Sequence, residues 1–254
     1  MIVEDLFFDF SDREKNEIEE RIIQRKKERE QDLLKKLNRQ AQQRLDNISL
    51  WGGDERTQLV LDDLSDEFIR MKFGLQEKAK YEFVVKKLKK FCEEITKEDP
   101  AERINSKVFI HGKAGTGKTF IAQALLNSVV KAGLTTVFIN TNELKNLLYS
   151  SFSDYSAKDK INEISEAARR CDLLMLDDLG TEASNKSETY REANDVIQQL
   201  LYEICNNRIN KSIIITSNFD KDELLNIYNR KVISRLIPNT SNYLLSFDGF
   251  EAIR

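Results

Sequence analysis

Apolar residues follow two different patterns along the chain, and the change comes near residue 100. From Arg13 to Ile48 the sequence is almost continuously charged, and its apolar positions form two clusters at helical spacing: Ile18, Ile22 and Ile23, then Leu33, Leu34, Leu37, Ala41 and Leu45. The polar run QRKKEREQD between them breaks any heptad, so the pattern predicts two short amphipathic pieces or one solvent-bridging helix rather than a long coiled coil. SLWGGDE at 49–55, with adjacent Gly52 and Gly53, is the expected linker. Residues 76–97 carry Ala79, Phe83, Leu88, Phe91 and Ile95 at roughly helical intervals. Pro100 stops that element because its ring cannot continue a helix.

Beyond Pro100 a regular alternation begins. Strand-like runs stand at 107–111, 136–140, 172–177, 212–216 and 243–247, and the intervals between them are long enough for crossover helices. Such runs belong to strands buried on both faces, which predicts an α/β fold: a parallel five-stranded sheet between helices. The expected organisation is a charged, helical, partner-binding region at 1–55, a linker and helix at 56–100, and the core domain at 101–254.

A chain of 254 residues suits one main domain with an appendage. A third of the residues are charged, yet the net charge is only -3, so any nucleic-acid contact has to come from a local patch. Cys92, Cys171 and Cys205 are widely spaced and His111 is the single histidine, which argues against a zinc site or a disulfide framework. No apolar stretch approaches the roughly 20 residues of a membrane span, and MIVEDLFFDFSD is acidic where a secretory signal is basic. The expectation is a cytoplasmic protein without a membrane partner.

The chemistry is concentrated in VFIHGKAGTGKTF. Gly112, Lys113, Ala114, Gly115, Thr116, Gly117, Lys118 and Thr119 form a GxxxxGK[ST] loop, which follows a strand run and leads through Phe120 into the helical pattern Ile121, Leu125, Val129. Glycines let backbone N–H groups crowd round phosphates, the lysine meets the β and γ phosphates, and the hydroxyl serves Mg²⁺. The loop therefore predicts ATP and Mg²⁺ as cofactors.

In LLMLDDLG an apolar strand ends in two carboxylates, which are expensive there unless a cation or an activated water uses them. Asp177 is the expected second Mg²⁺ residue beside Thr119. Asp178 is the candidate to orient or deprotonate the attacking water, with Glu182 in reserve. The run IIITSN ends in Asn218, placed to bond that water or the γ-phosphate. A similar LDDL at 61–64 lies upstream of the loop without an apolar run and reads as a helix or turn.

The succession GKAGTGKT, LMLDDLGTEAS, IIITSNF and NRKVISRLI resembles the AAA+ ATPases of the DnaC/DnaI group, the bacterial and phage loaders of the replicative helicase, over residues 100–254. The resemblance implies ATPase activity, self-association through the ATPase domain, an N-terminal region that grips the helicase, and binding of single-stranded DNA. It also implies an arginine in the SRL segment that acts in trans on a neighbour's γ-phosphate, here Arg235. The zinc module of DnaI-type proteins has no counterpart at the N-terminus. Tyr149, Phe152, Tyr155, Lys158 and Lys160 lie in an interval longer than one crossover helix needs; they either contact DNA or pack helix against sheet. An IstB-type transposition helper shares the same motifs, and a small-molecule P-loop kinase is the alternative from another class.

Overall fold

In the computed structural model, which describes residues 12–53, 56–74, 77–183, 193–208, 211–238 and 243–252, all five expected strands are present. They are β1 (Lys107–His111), β2 (Thr136–Asn140), β3 (Leu173–Asp177), β4 (Ser212–Ser217) and β5 (Leu244–Ser246). Every pairing is parallel, and the order across the sheet is β2-β3-β4-β1-β5. Because successive side chains on a strand point to opposite faces, the apolar runs of β1 to β4 feed two cores. β5, at the sheet edge, buries only Leu245 and exposes Leu244 and Ser246, so the expected burial on both faces does not hold there. Phe109, Val137, Ile139, Leu174, Leu176, Ile213 and Ile215 face one side. There they meet α5 (Thr141–Ser150), α6 (Tyr155–Arg170), α7 (Asp195–Asn206), α8 (Lys221–Ile227) and α9 (Arg230–Leu236). Val108, Ile110, Phe138, Leu173, Met175 and Ile214 face the other, against α2 (Asp66–Phe73), α3 (Lys78–Ile95) and α4 (Lys118–Lys131).

Three expectations are sharpened or changed. The N-terminal apolar clusters lie on a single helix, α1 (Asp12–Ile48), the second of the two forms the pattern allowed. The residues of QRKKEREQD are mostly strong helix formers, so the run interrupts the apolar stripe without interrupting the backbone. The chain divides into two compact units, Met1–Ala41 and Gln42–Arg254. The division thus falls within α1 rather than at the glycine pair, and residues 56–100 belong to the same unit as the sheet.

The linker is also not slack. Leu50 donates its N–H to Phe138 O (2.9 Å) and accepts from Asn140 N–H (2.8 Å), pairing in parallel with the outer edge of β2. Ser49 Oγ accepts from Phe138 N–H at 3.1 Å, and the Gln42 amide bonds both the N–H (2.8 Å) and the carbonyl (3.0 Å) of Thr136. Trp51 stacks on Phe138 with ring centroids 4.4 Å apart, and the Arg56 guanidinium lies 3.5 Å above the Trp51 ring. An edge strand that would otherwise offer unpaired backbone groups is covered by its own chain. The first 11 residues and the linker's residues 54–55 lie outside the described residues.

The third change is the phase of α3. Its buried stripe is Tyr81, Val84, Val85, Leu88, Phe91 and Ile95, while Phe83 is 58 % exposed and Ala79 is also exposed. The expected Leu88, Phe91 and Ile95 are on the stripe. Phe83 falls outside it, with the Lys87 ammonium 5.5 Å from its ring. LDDL at 61–64 forms a short 3-10 turn, Leu61–Asp63, as its position suggested.

Candidate nucleotide site

The loop from Gly112 to Gly117 joins β1 to α4 at the carboxyl end of the sheet, where β3 and β4 also end. Gly112, Gly115 and Gly117 have φ of 141°, 78° and 81°, a region in which a side chain is strained. At Gly112 there is no room either: a Cβ would lie 2.7 Å from the main-chain carbonyl carbon of Phe247. The loop is fastened from within by Thr116 Oγ1 donating to Lys113 O (2.9 Å), and from α3 by the buried Tyr81 hydroxyl donating to Thr116 O (2.6 Å).

Lys118 and Thr119 open α4. Lys118 is buried, and its Nζ donates to Gly112 O (2.7 Å), Lys113 O (2.8 Å) and Asn218 Oδ1 (2.9 Å). Burial pulls its pKa down from the ordinary lysine value, while the carboxylates of Asp178, Asp177 and Asp248 act to raise it. The loop lysine and the end of β4 are thus tied together through Asn218.

Asp177, at the end of β3, is 1 % exposed, and its Oδ1 accepts from Thr119 Oγ1 (2.9 Å) and Thr216 Oγ1 (2.6 Å). A buried carboxylate beside the loop hydroxyl is a hard-oxygen pair suited to Mg²⁺, which takes one or two protein oxygens and completes its shell with phosphate and water. Among the described residues no cluster of three His, Cys, Asp or Glu that could hold a metal ion is present.

Asp178 is the one described non-glycine residue at positive φ (57°), in the left-handed region that aspartate tolerates better than most residues. Its main chain is held on both sides. The N–H donates to Thr216 Oγ1 (3.0 Å), and the carbonyl accepts from Thr141 Oγ1 (2.9 Å), Thr181 Oγ1 (2.7 Å) and Thr181 N–H (3.1 Å). This turn brings Asp178 to the wall of a cleft of about 360 Å³, together with Gly115, Lys118, Thr119, Phe120 and Asn218. Lys72 of α2 and Gln123 of α4 also line it. Gln123 stands one helical turn beyond Thr119 and was in principle readable from α4. Lys72 was not, because only tertiary packing brings α2 to the loop.

Glu182 does not line this cleft. It lies buried on a short 3-10 turn, Thr181–Ala183, where its Oε2 meets Gly180 N–H (2.9 Å) and Thr141 Oγ1 (3.0 Å). Burial raises its pKa above the ordinary 4.5. Arg235, on α9, is exposed and stands at the opposite end of the sheet. Lys107 Nζ, at the start of β1, donates to Ser234 O at 3.1 Å, and the charge of Arg235 acts on Lys107. The structure therefore brings Lys118, Thr119, Asp177, Asp178 and Asn218 together and leaves Arg235 away from them.

Tyr149, Phe152 and Tyr155 are 45 %, 66 % and 85 % exposed, at the junction of α5 and α6. Lys158 and Lys160 are exposed on the following turns. Helix–sheet packing in this segment is done by Leu144, Leu148, Ile161 and Ile164 instead.

Among curated proteins, the chain is 31% identical over 157 residues to the chromosomal replication initiator protein DnaA of Onion yellows phytoplasma, covering 58% of this chain and 28% of that one. It is 28% identical over 117 residues to the replicative helicase loader DnaI of Bacillus subtilis, covering 46% and 34%. The chain spans about half the length, or less, of the curated relatives it matches. A solved crystal structure of DnaI shares the fold, with a TM-score of 0.53 at 19% identity over 81% of this chain and 96% of that one. A family model described as IstB-like ATP binding protein matches residues 76–236, well over half of the sequence, and the chain belongs to that family.

Proposed function

We propose that this IstB-like ATP-binding protein is an ATP-hydrolysing switch of the helicase-loader type, whose site is completed by a second copy of the chain. Lys118 and the loop amides hold the β and γ phosphates, and Asn218 reaches the γ-phosphate or the attacking water. Asp178 orients or deprotonates that water. Thr119 and Asp177 hold Mg²⁺, which when bound offsets charge on the phosphates.

The observation that carries the reading is the placement of Arg235. β1 spans five residues, about 13 Å end to end. The phosphate loop follows its far end, whereas Arg235 lies exposed beside its start. An arginine there serves a neighbouring subunit rather than its own site. An arginine finger contributes roughly 10³ to 10⁵ in rate, so a lone subunit hydrolyses ATP slowly and assembly sets the turnover.

The partners follow from similarity and from surface chemistry. Similarity to DnaI supports a replicative helicase as the protein partner, gripped through the N-terminal region. There Ile22, Ile23, Leu33, Leu34 and Leu37 of α1 are exposed apolar side chains. The aromatic and lysine cluster from Tyr149 to Lys160 supplies stacking faces and cations for single-stranded DNA. In Arg235→Ala, ATP binding is expected to persist while assembly-stimulated hydrolysis disappears; stimulation equal to wild type would rule out the shared site.

The family match itself favours a second reading, a transposition helper of the IstB type. Co-purification of residues 1–60 with a replicative helicase supports loading; capture of a transposase supports the other.

A further inference from the structure

Glu182 was a candidate for water activation, yet its surroundings give it other work. Thr141 Oγ1 lies 2.9 Å from Asp178 O and 3.0 Å from Glu182 Oε2, and a hydroxyl has one proton to donate. If Glu182 were a carboxylate, one of these two contacts would set acceptor against acceptor. With a proton on Glu182 Oε2 the order closes: Glu182 donates to Thr141 Oγ1, and Thr141 donates to Asp178 O. Gly180 N–H still donates to Oε2 at 2.9 Å. Glu182 Oε1 is buried without a described hydrogen-bond partner, a position that costs a neutral carbonyl much less than half of a carboxylate charge.

The charged group acting on Glu182 is Lys145 of α5, and its ammonium is bonded to the main-chain oxygen of Glu182 (2.8 Å) rather than to the carboxyl. Burial, the largest influence on Glu182, disfavours its ionisation and outweighs the hydrogen bonds and the Lys145 charge that favour it.

We propose that Glu182 is a neutral carboxylic acid whose proton, handed on through Thr141 Oγ1, fixes the main chain of Asp178 and so aims the Asp178 side chain into the cleft. Glu182 and Thr141 are positioning residues. The inference rests on the reading of Asp178 as the residue that handles the attacking water. It also ties the first turn of α5, the helix that carries Tyr149, to the hydrolytic turn: Asn142 Nδ2 donates to Thr181 Oγ1 at 2.8 Å beside the Thr141 link.

The test combines a spectrum with kinetics on the full chain. The infrared difference between wild type and Glu182→Gln at neutral pH is expected to contain the C=O stretch of a protonated carboxylic acid; a carboxylate signal alone overturns the proposal. In hydrolysis assays wild type is expected to lose kcat on the alkaline side as Glu182 ionises. Glu182→Ala loses rate at all pH values, and Glu182→Gln restores most of it without the alkaline limb. Thr141→Val lowers kcat roughly tenfold to a hundredfold with ATP affinity retained, the scale of a misplaced catalytic group, and Thr141→Ser recovers it. Equal loss in the Gln and Ala variants, or a Thr141→Val enzyme as fast as wild type, contradicts the relay. A wild-type protein that shows the acid band but no hydrolysis would refute the role of Asp178 and leave the neutral Glu182 standing.

Discussion

Gly112 meets two constraints at once, a φ of 141° and the Phe247 backbone where a Cβ would stand. Gly112→Ala is expected to destabilise the fold by about 1–3 kcal/mol of local strain. At about 2–4 °C per kcal/mol for a chain of this size, the loss shows as a melting temperature several degrees lower, together with weaker ATP binding. An unchanged melting curve would mean that β5 shifts freely, and the loop would then not be set by its packing. Residues of this kind were legible in the sequence because phosphate chemistry dictates their type and spacing. The same holds for Thr119 and Asp177, whose oxygens meet at 2.9 Å. Glu182 was legible as a residue but not in its role, because a proton count requires the positions of Thr141 and Asp178, 37 residues apart in sequence.

Among the elements, β1 to β4 were readable because each run is apolar on both faces, and the two cores bear that out, while β5 is an edge strand that buries Leu245 alone. The phase of α3 was not: Phe83 is as apolar as Phe91, and only the packing of Tyr81 and Val84 against α4 and the C-terminal aromatics decides which side is inside. The cover on β2 was hidden for a related reason. Leu50 pairs through its backbone and Gln42 through an amide, and neither leaves a trace in hydrophobic periodicity. At the α5–α6 junction two readings were open, and the exposure of Tyr149, Phe152 and Tyr155 favours the surface role. Stacking on a base contributes about 1–3 kcal/mol. The double variant Tyr149→Ala, Phe152→Ala is therefore expected to bind single-stranded DNA at least tenfold more weakly in an anisotropy titration, with ATP binding unaffected. Undiminished DNA affinity would remove this junction from the DNA-binding surface.

At the scale of the whole molecule, cleft and arginine lie at opposite ends of one sheet; under the proposed function a single copy then presents half of each of two sites. The order of strands explains this division. β1 lies between β4 and β5, and its two ends serve the phosphate loop and the α9 contact separately. In the proposed switch, nucleotide alone need not supply the roughly 5.5 kcal/mol of differential binding that drives a two-state equilibrium fully across, because contacts between copies would contribute to it.

Mixing two inactive variants tests this most directly. Lys118→Ala has a damaged cleft and an intact Arg235; Arg235→Ala has the reverse. If the site is shared, each variant alone hydrolyses ATP at no more than the slow unassembled rate, and mixed assemblies regain hydrolysis where an Arg235→Ala cleft faces the arginine of a Lys118→Ala neighbour. Mixed assemblies that form, bind ATP and show no recovery would contradict the account.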